Sequence, residues 1–234
     1  MGARLEMKVN SFLSALVLGF TLSGCGNDPQ AGDTQLSLKA GVKLGSMALR
    51  LGRNPTDQVV APAAVTALRA ALEKSGQPIY LVSVADLGYA NLMAPYGQNG
   101  AVQTWASTTY ESVSMRDGIV VATRGFGPDM MTSVAPDAAQ VARGVGSFQR
   151  SYYYLDGADQ TTLVRYTCTY AQSGTETVVV LGKGYATRKV TESCAGPVSP
   201  FENAYWFDGS GKMRQSDQRL APGLKAMRLQ RVID

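Results

Sequence analysis

Histidine is absent from all 234 residues. That absence excludes Ser-His-Asp and Cys-His catalysis, histidine acid–base chemistry and the usual His-containing zinc sites. A Walker A stretch is missing too. Gly125-x-Gly127 runs into Pro128 and Gly144-x-Gly146 has no third glycine, so neither completes a dinucleotide fingerprint, and no nucleotide or other cofactor is implied. Charged residues are scarce, at 17%. The 22 basic and 18 acidic side chains are interleaved; Arg4, Lys8 and Glu6 fall in the first 24 residues, leaving a mildly basic remainder. Such a balance describes a solvated globular surface rather than a nucleic-acid footprint. Only one long apolar run occurs, Phe12 to Leu22, and it is too short to span a bilayer as a helix.

What that run precedes is informative. Lys8 lies before it, and Leu22-Ser23-Gly24-Cys25 closes it with small residues immediately ahead of a cysteine. This is the pattern of a bacterial lipoprotein precursor, cut before Cys25 and lipidated there. Competing readings are an ordinary signal peptide with an incidental cysteine, or a buried helix; Ser23 and Gly24, which meet the steric demands of the cleaving enzyme, favour lipidation. Acyl chains contribute ~0.8 kcal/mol per buried methylene, so several on one cysteine anchor a protein without a spanning helix. Gly26 rather than Asp after Cys25 favours, by bacterial sorting convention, the outer membrane. The expected organisation is a leader over 1–24, a lipidated Cys25 with a flexible tether over 25–40, and one mainly β periplasmic domain over 41–234.

Three cysteines minus a lipidated Cys25 leave Cys168 and Cys194, an even pair in an oxidising compartment. They are expected to bond to each other, stabilising the fold by roughly 3–4 kcal/mol in the chain-entropy account. The alternative is two buried thiols.

Pro62 to Gly76 has the marks of a helix, with proline at its start, Val65, Leu68 and Leu72 on one face, and glycine past its end. After Pro78 the period changes. Ile79–Val84 is β-rich, residues 101–115 have strand-like composition, and Arg116-Asp117-Gly118 is a hairpin turn into Ile119–Thr123. Further strands are expected at 148–155, 163–170, 175–181, 185–194, 204–207, 212–216 and 225–233, several of them joined by glycine-containing turns such as Asp156-Gly157, Gly182-Lys183-Gly184 and Asp208-Gly209-Ser210-Gly211. The pattern predicts a mainly β fold: a meandering antiparallel sheet curled into a partly open barrel or sandwich, with one short N-terminal helix.

Two segments carry a resemblance. Met115-Arg116-Asp117-Gly118-Ile119-Val120 runs into Thr123-Arg124-Gly125-Phe126-Gly127-Pro128-Asp129, and Phe201-Glu202-Asn203-Ala204-Tyr205-Trp206-Phe207-Asp208 is followed by Gly211, Ser216, Gln218 and Pro222. In this order after Cys25 the chain resembles the YjbF/GfcB-type lipoproteins, encoded with exopolysaccharide and group 4 capsule genes in Gram-negative bacteria. The resemblance implies a mostly β, partly open barrel-like fold, an outer-membrane lipoprotein facing the periplasm, and a part in making or exporting an extracellular polysaccharide. It carries over no catalytic residues.

Candidate contact residues follow from chemistry. Tyr205 and Trp206, with Asn203 before and Gln218 after, offer aromatic faces for pyranose C–H surfaces and amides for hydroxyls; Trp105 is a weaker candidate. The competing reading is a strand core with a satisfied turn. Arg124 is suited to an anionic group or to a carboxylate partner on the surface. Met130-Met131 beside Phe126 reads as packing rather than a copper site. A glycosidase needs two carboxylates about 5–10 Å apart, whereas Asp117, Asp129, Asp156, Asp208 and Asp217 mostly fall in expected turns. The residues together favour an accessory or scaffold acting through exporter components or polysaccharide. The alternatives are a histidine-independent hydrolase or lyase, and a lipid or lipoprotein carrier with an empty apolar cavity.

Overall fold

Alternation dictates the architecture. In β1 (Ile79–Val84), Tyr80, Val82 and Val84 join the interior cluster while Ile79 joins an outer one, as a period of two requires. The structure, a computed structural model, describes residues 62–155, 158 and 160–234. The leader, Cys25, the tether and the Asp156-Gly157 turn lie outside the described residues.

The helix α1 (Pro62–Glu73) precedes β1, and β2 (Tyr89–Asn99), β3 (Val102–Ala106), β4 (Ser112–Arg116), β5 (Ile119–Arg124) and β6 (Met130–Val134) follow it. A second helix, α2 (Ala138–Arg143), leads to β7 (Ser147–Leu155), β8 (Thr161–Val180), β9 (Lys183–Ala195), β10 (Phe201–Asp208), β11 (Met213–Gln218) and β12 (Met227–Ile233). Twelve strands form one sheet in the order β5-β4-β3-β2-β1-β12-β11-β10-β9-β8-β7-β6. The neighbours along this order pair antiparallel.

The two ends of that order, β5 and β6, lie against each other, so the sheet is nearly closed into a barrel. Side chains bridge the seam. Met130 N–H donates to Thr123 Oγ1 at 3.0 Å, Arg124 Nη1 donates to Met130 O at 3.1 Å, and Ser133 Oγ reaches Val120 O at 3.3 Å. These bonds occupy edge groups that would otherwise template another strand.

The mainly β expectation holds, with differences in detail. The 101–115 stretch divides into β3 and β4 around a loop. The two strands expected over 163–170 and 175–181 are one long strand, Thr161–Val180, because Ser173-Gly174 makes an irregularity between Gln172 and Thr175 instead of a turn; Gly174 sits at φ +94°. β2 continues through Pro95 by a register shift between Pro95 and Gly97. The unexpected α2 inserts Val141 into the core under Tyr205 and Phe207. The Asp117-Gly118 turn is as expected, with positive φ at both positions.

The barrel is filled. Met93, Trp105, Val113, Met115, Met130, Tyr152, Tyr166, Cys168 and Cys194 belong to one buried cluster drawn from strands around the sheet. A second cluster lies outside it: Leu68 and Leu72 of α1 cover Ile79, Leu92, Ala204, Trp206 and Val232, together with Val178 and Val180 of the β8–β9 arm. Arg69 ties the three parts together, donating to Val180 O at 2.5 Å, Leu181 O at 2.9 Å and Val232 O at 3.0 Å. Cys168 and Cys194 face each other in β8 and β9 and form a disulfide, 26 residues apart in sequence.

Candidate functional site

Apolar parity in a strand marks what points inward, and two charges break the pattern. Arg150 shares parity with Tyr152 and Tyr154 in β7; Glu192 shares it with Val190 and Cys194 in β9. Both are buried to within 1% of complete. Arg150 Nε donates to Glu192 Oε1 at 2.7 Å and Nη2 donates to Oε2 at 2.9 Å, a two-point pair that suits the planar guanidinium.

Three neutral donors complete the carboxylate's surroundings. Tyr170 OH lies 3.0 Å from Oε1, while Tyr205 OH and Asn203 Nδ2 each lie 2.7 Å from Oε2. Tyr205 OH also accepts from Arg150 Nη2 at 2.8 Å. Burial alone would raise the Glu192 pKa, but Arg150's charge and the donated bonds outweigh it and hold the carboxyl below its usual range. Glu192 is therefore a fixed anion, unlike a general acid, whose pKa must be raised toward the working pH. Desolvation raises the Tyr205 hydroxyl's pKa well above its ordinary value, so it stays protonated and donates.

The network continues to the end of β11. Asn203 Oδ1 accepts the backbone N–H of Arg219 at 2.7 Å. Gln218 reaches across the interior to the β4–β5 turn, accepting from Val120 N–H at 3.0 Å and donating to Gly118 O at 2.7 Å and Ser216 Oγ at 2.9 Å. Its amide thereby matches a backbone donor and acceptor on the opposite wall.

The five candidate contact residues are not gathered on one surface. Asn203, Tyr205 and Gln218 point inward and are at most 2% exposed. Trp206, next to Tyr205, points to the opposite face, where α1 and the β8–β9 arm cover it; Nε1 donates to Glu176 Oε1 at 2.6 Å and Lys189 Nζ stands 5.2 Å from the ring centre. Adjacent strand residues cannot share a face, so the two rings form no common platform. Arg124 is exposed at the end of β5 and spends its donors on backbone carbonyls of Thr123, Met130 and Met131 rather than on a carboxylate. Trp105 is interior, edge-on to Tyr80 at 4.6 Å. Met130 is buried and Met131 half-buried in the strand, consistent with packing.

Arg150, Glu192, Tyr170 and Arg219 were not among the expected site residues. For Arg150 and Glu192 the signal was in the sequence all the same: a charge standing on the apolar parity of a strand. Among the described residues one group of potential metal ligands lies close together, Cys168, Glu192 and Cys194. It does not fit a metal in the oxidised protein, because the disulfide consumes both thiols and Glu192 already accepts five bonds.

Against known proteins, the profile of the YjbF family, described as group 4 capsule polysaccharide lipoprotein GfcB, YjbF, matches residues 52–232. No curated protein sequence matches. Among solved structures, the hypothetical lipoprotein YmcC from Escherichia coli (K12) superposes with a TM-score of 0.62 at 14% identity, covering 82% of this chain and 95% of that one. At that identity the likeness concerns the fold. A putative exported protein with YmcC-like fold from Bacteroides fragilis is more distant, with a TM-score of 0.33 at 10% identity over 67% of this chain and 93% of that one.

Proposed function

The chain belongs to the YjbF family of group 4 capsule polysaccharide lipoproteins, and from that premise we propose that it is an accessory or scaffold in the assembly or export of an extracellular polysaccharide, held by a lipidated Cys25 at the periplasmic face of the outer membrane. Anchoring confines the domain to a thin layer beside the membrane and raises its effective concentration near exporter components or the growing polymer. Each contact then needs only modest affinity.

The observation that carries this reading is the filled interior. Side chains from strands around the sheet meet in one buried cluster, and Gln218 spans the interior to the β4–β5 turn. A lipid carrier needs an open apolar cavity, and packing of this kind opposes one. The buried carboxylate is neutralised by Arg150 and surrounded by donors, which suits structural rigidity better than proton transfer. Interaction surfaces on a rigid barrel remain as the means of action.

The test is a Cys25→Ala variant expressed at wild-type level in the native envelope. Surface polysaccharide is expected to fall, and exporter components to disappear from pull-downs of the membrane fraction. Unchanged polymer with the variant released from the membrane would refute a role that depends on localisation.

A further inference from the structure

Among the described residues three arginines are nine-tenths or more buried: Arg150, Arg214 and Arg219. Two of them have carboxylate partners. Arg150 meets Glu192, while Arg214 meets Asp208 at 2.5 Å and Asp234 at 2.8 Å. Arg219, 6% exposed, has none among the described residues. Its Nε is buried without a hydrogen-bond partner, Nη2 makes a long 3.4 Å contact to Tyr166 OH, and the Tyr154 hydroxyl also draws on the guanidinium.

What surrounds it is aromatic. The guanidinium stands 4.4 Å from the centre of the Phe201 ring and 5.3 Å from that of Tyr166. Tyr152 joins the same group, with its ring centre 6.0 Å from that of Phe201 and 5.9 Å from that of Tyr166. Ring faces attract a cation, yet neither they nor the neutral tyrosine hydroxyls supply an anion, and they return only part of what desolvation removes. A buried cation without an anion carries an uncompensated desolvation cost that an anion from outside would offset.

Phe201 is only half-buried, and the loop over residues 196–200 that leads into it is exposed. Gly196 lets this loop lie against the site, since a Cβ there would stand 2.5 Å from Tyr166 Cδ1. A half-buried aromatic ring beside a donor-rich cation is complementary to a ring with an apolar C–H face and an oxyanion substituent.

We propose that Arg219, with Phe201, forms a binding site for an acidic sugar, the guanidinium taking a sugar-borne oxyanion while the half-buried Phe201 ring takes the pyranose face. This inference rests on the polysaccharide reading above and names the class of polymer unit that the domain recognises. A uronate carboxylate and a sugar phosphate share the chemistry.

The experiment titrates the full-length protein calorimetrically with tetragalacturonate, its fully methyl-esterified form, glucose 6-phosphate and a tetraglutamate peptide. Tetragalacturonate binding is expected to be at least tenfold tighter than that of its neutral ester, to weaken as salt is raised, and to fall at least tenfold in Arg219→Gln. Glucose 6-phosphate binding with the same dependence on Arg219 would identify phosphate as the preferred oxyanion. If Arg219→Gln does not fold, the acid-to-ester ratio and the salt dependence of the unaltered protein decide the matter. The proposal is overturned if acid and ester bind equally, if neither acidic sugar binds, if a folded Arg219→Gln retains full affinity, or if tetraglutamate binds as tightly as the sugar. Failure here while Cys25→Ala still loses surface polymer would remove this site and leave the scaffold role standing; retained polymer in Cys25→Ala would remove the latter.

Discussion

Replacing Glu192 with Gln keeps the shape of the side chain and removes its charge, leaving Arg150 buried to 1% exposure with no anion. Breaking a buried ion pair from one side costs about 3–5 kcal/mol, chiefly because the remaining charge is uncompensated. Arg150→Met strips the other side and is expected to cost about as much. The double variant Arg150→Met with Glu192→Gln removes both charges, and its cost is expected to fall well short of the sum of the two singles, since neither charge is then left buried and unpaired. Urea unfolding at pH 7 with the disulfide intact measures all four proteins. For a chain of this size about 4 kcal/mol corresponds to a fall in Tm on the order of 10 °C. The pH dependence carries the same information. Because Arg150 and the donors depress the Glu192 pKa against the effect of burial, the folded state binds its proton less readily than the unfolded state. The stabilisation is therefore complete above the unfolded pKa of about 4.3 and is lost as pH falls through the lower folded value. Glu192→Gln should lose this part of the acid sensitivity. Single variants costing under about 1 kcal/mol, or a double variant costing the full sum, would refute the account of Arg150 and Glu192 as a coupled buried pair.

Other outcomes follow from the same structure. Cys168→Ala with Cys194→Ala opens a loop of 26 residues' separation and should cost about 3.5 kcal/mol in the chain-entropy account, read as a lower urea midpoint that added reductant does not shift further. Asp208, whose burial is outweighed by bonds from Ser210, Arg214 and backbone amides, has its pKa drawn down to about 2. It should contribute up to about 2 kcal/mol that is present near neutrality and disappears between about pH 5 and pH 2; Asp208→Asn should flatten the stability profile over that window. Arg69→Ala frees three carbonyls of the arm and β12 and should cost about 2–4 kcal/mol, with amide exchange rising over Pro62–Glu73 well before the central strands.

Local chemistry left a readable trace wherever neighbours in sequence decide the outcome. The Pro62 start and Gly76 stop of α1, the Asp117-Gly118 turn and the alternation in β1 are fixed by preferences of a few adjacent residues. The Cys168–Cys194 bond followed from parity of number, and the family resemblance from two ordered segments that lie within the matched 52–232 range. The same short range explains the misses. Ser173-Gly174 has the composition of a turn, and only the partner strand β9 makes it an irregularity within a continuous strand.

What a side chain faces is a tertiary matter. Tyr205 and Trp206 are neighbours with similar chemistry, yet one enters the Glu192 network and the other lies under α1, because a strand sends successive residues to opposite sides and the sequence does not say which side will be roofed. Arg150 and Glu192 are 42 residues apart and Gln218 meets a turn 100 residues away; no local rule foretells such meetings. The sequence by itself determined a lipobox-like N-terminus, a strand-rich chain without histidine and a bondable cysteine pair. Only sheet closure decided which polar groups were buried, which of them found partners, and that Arg219 was left with rings and no anion, since pairing across the barrel depends on register and curvature over the whole sheet.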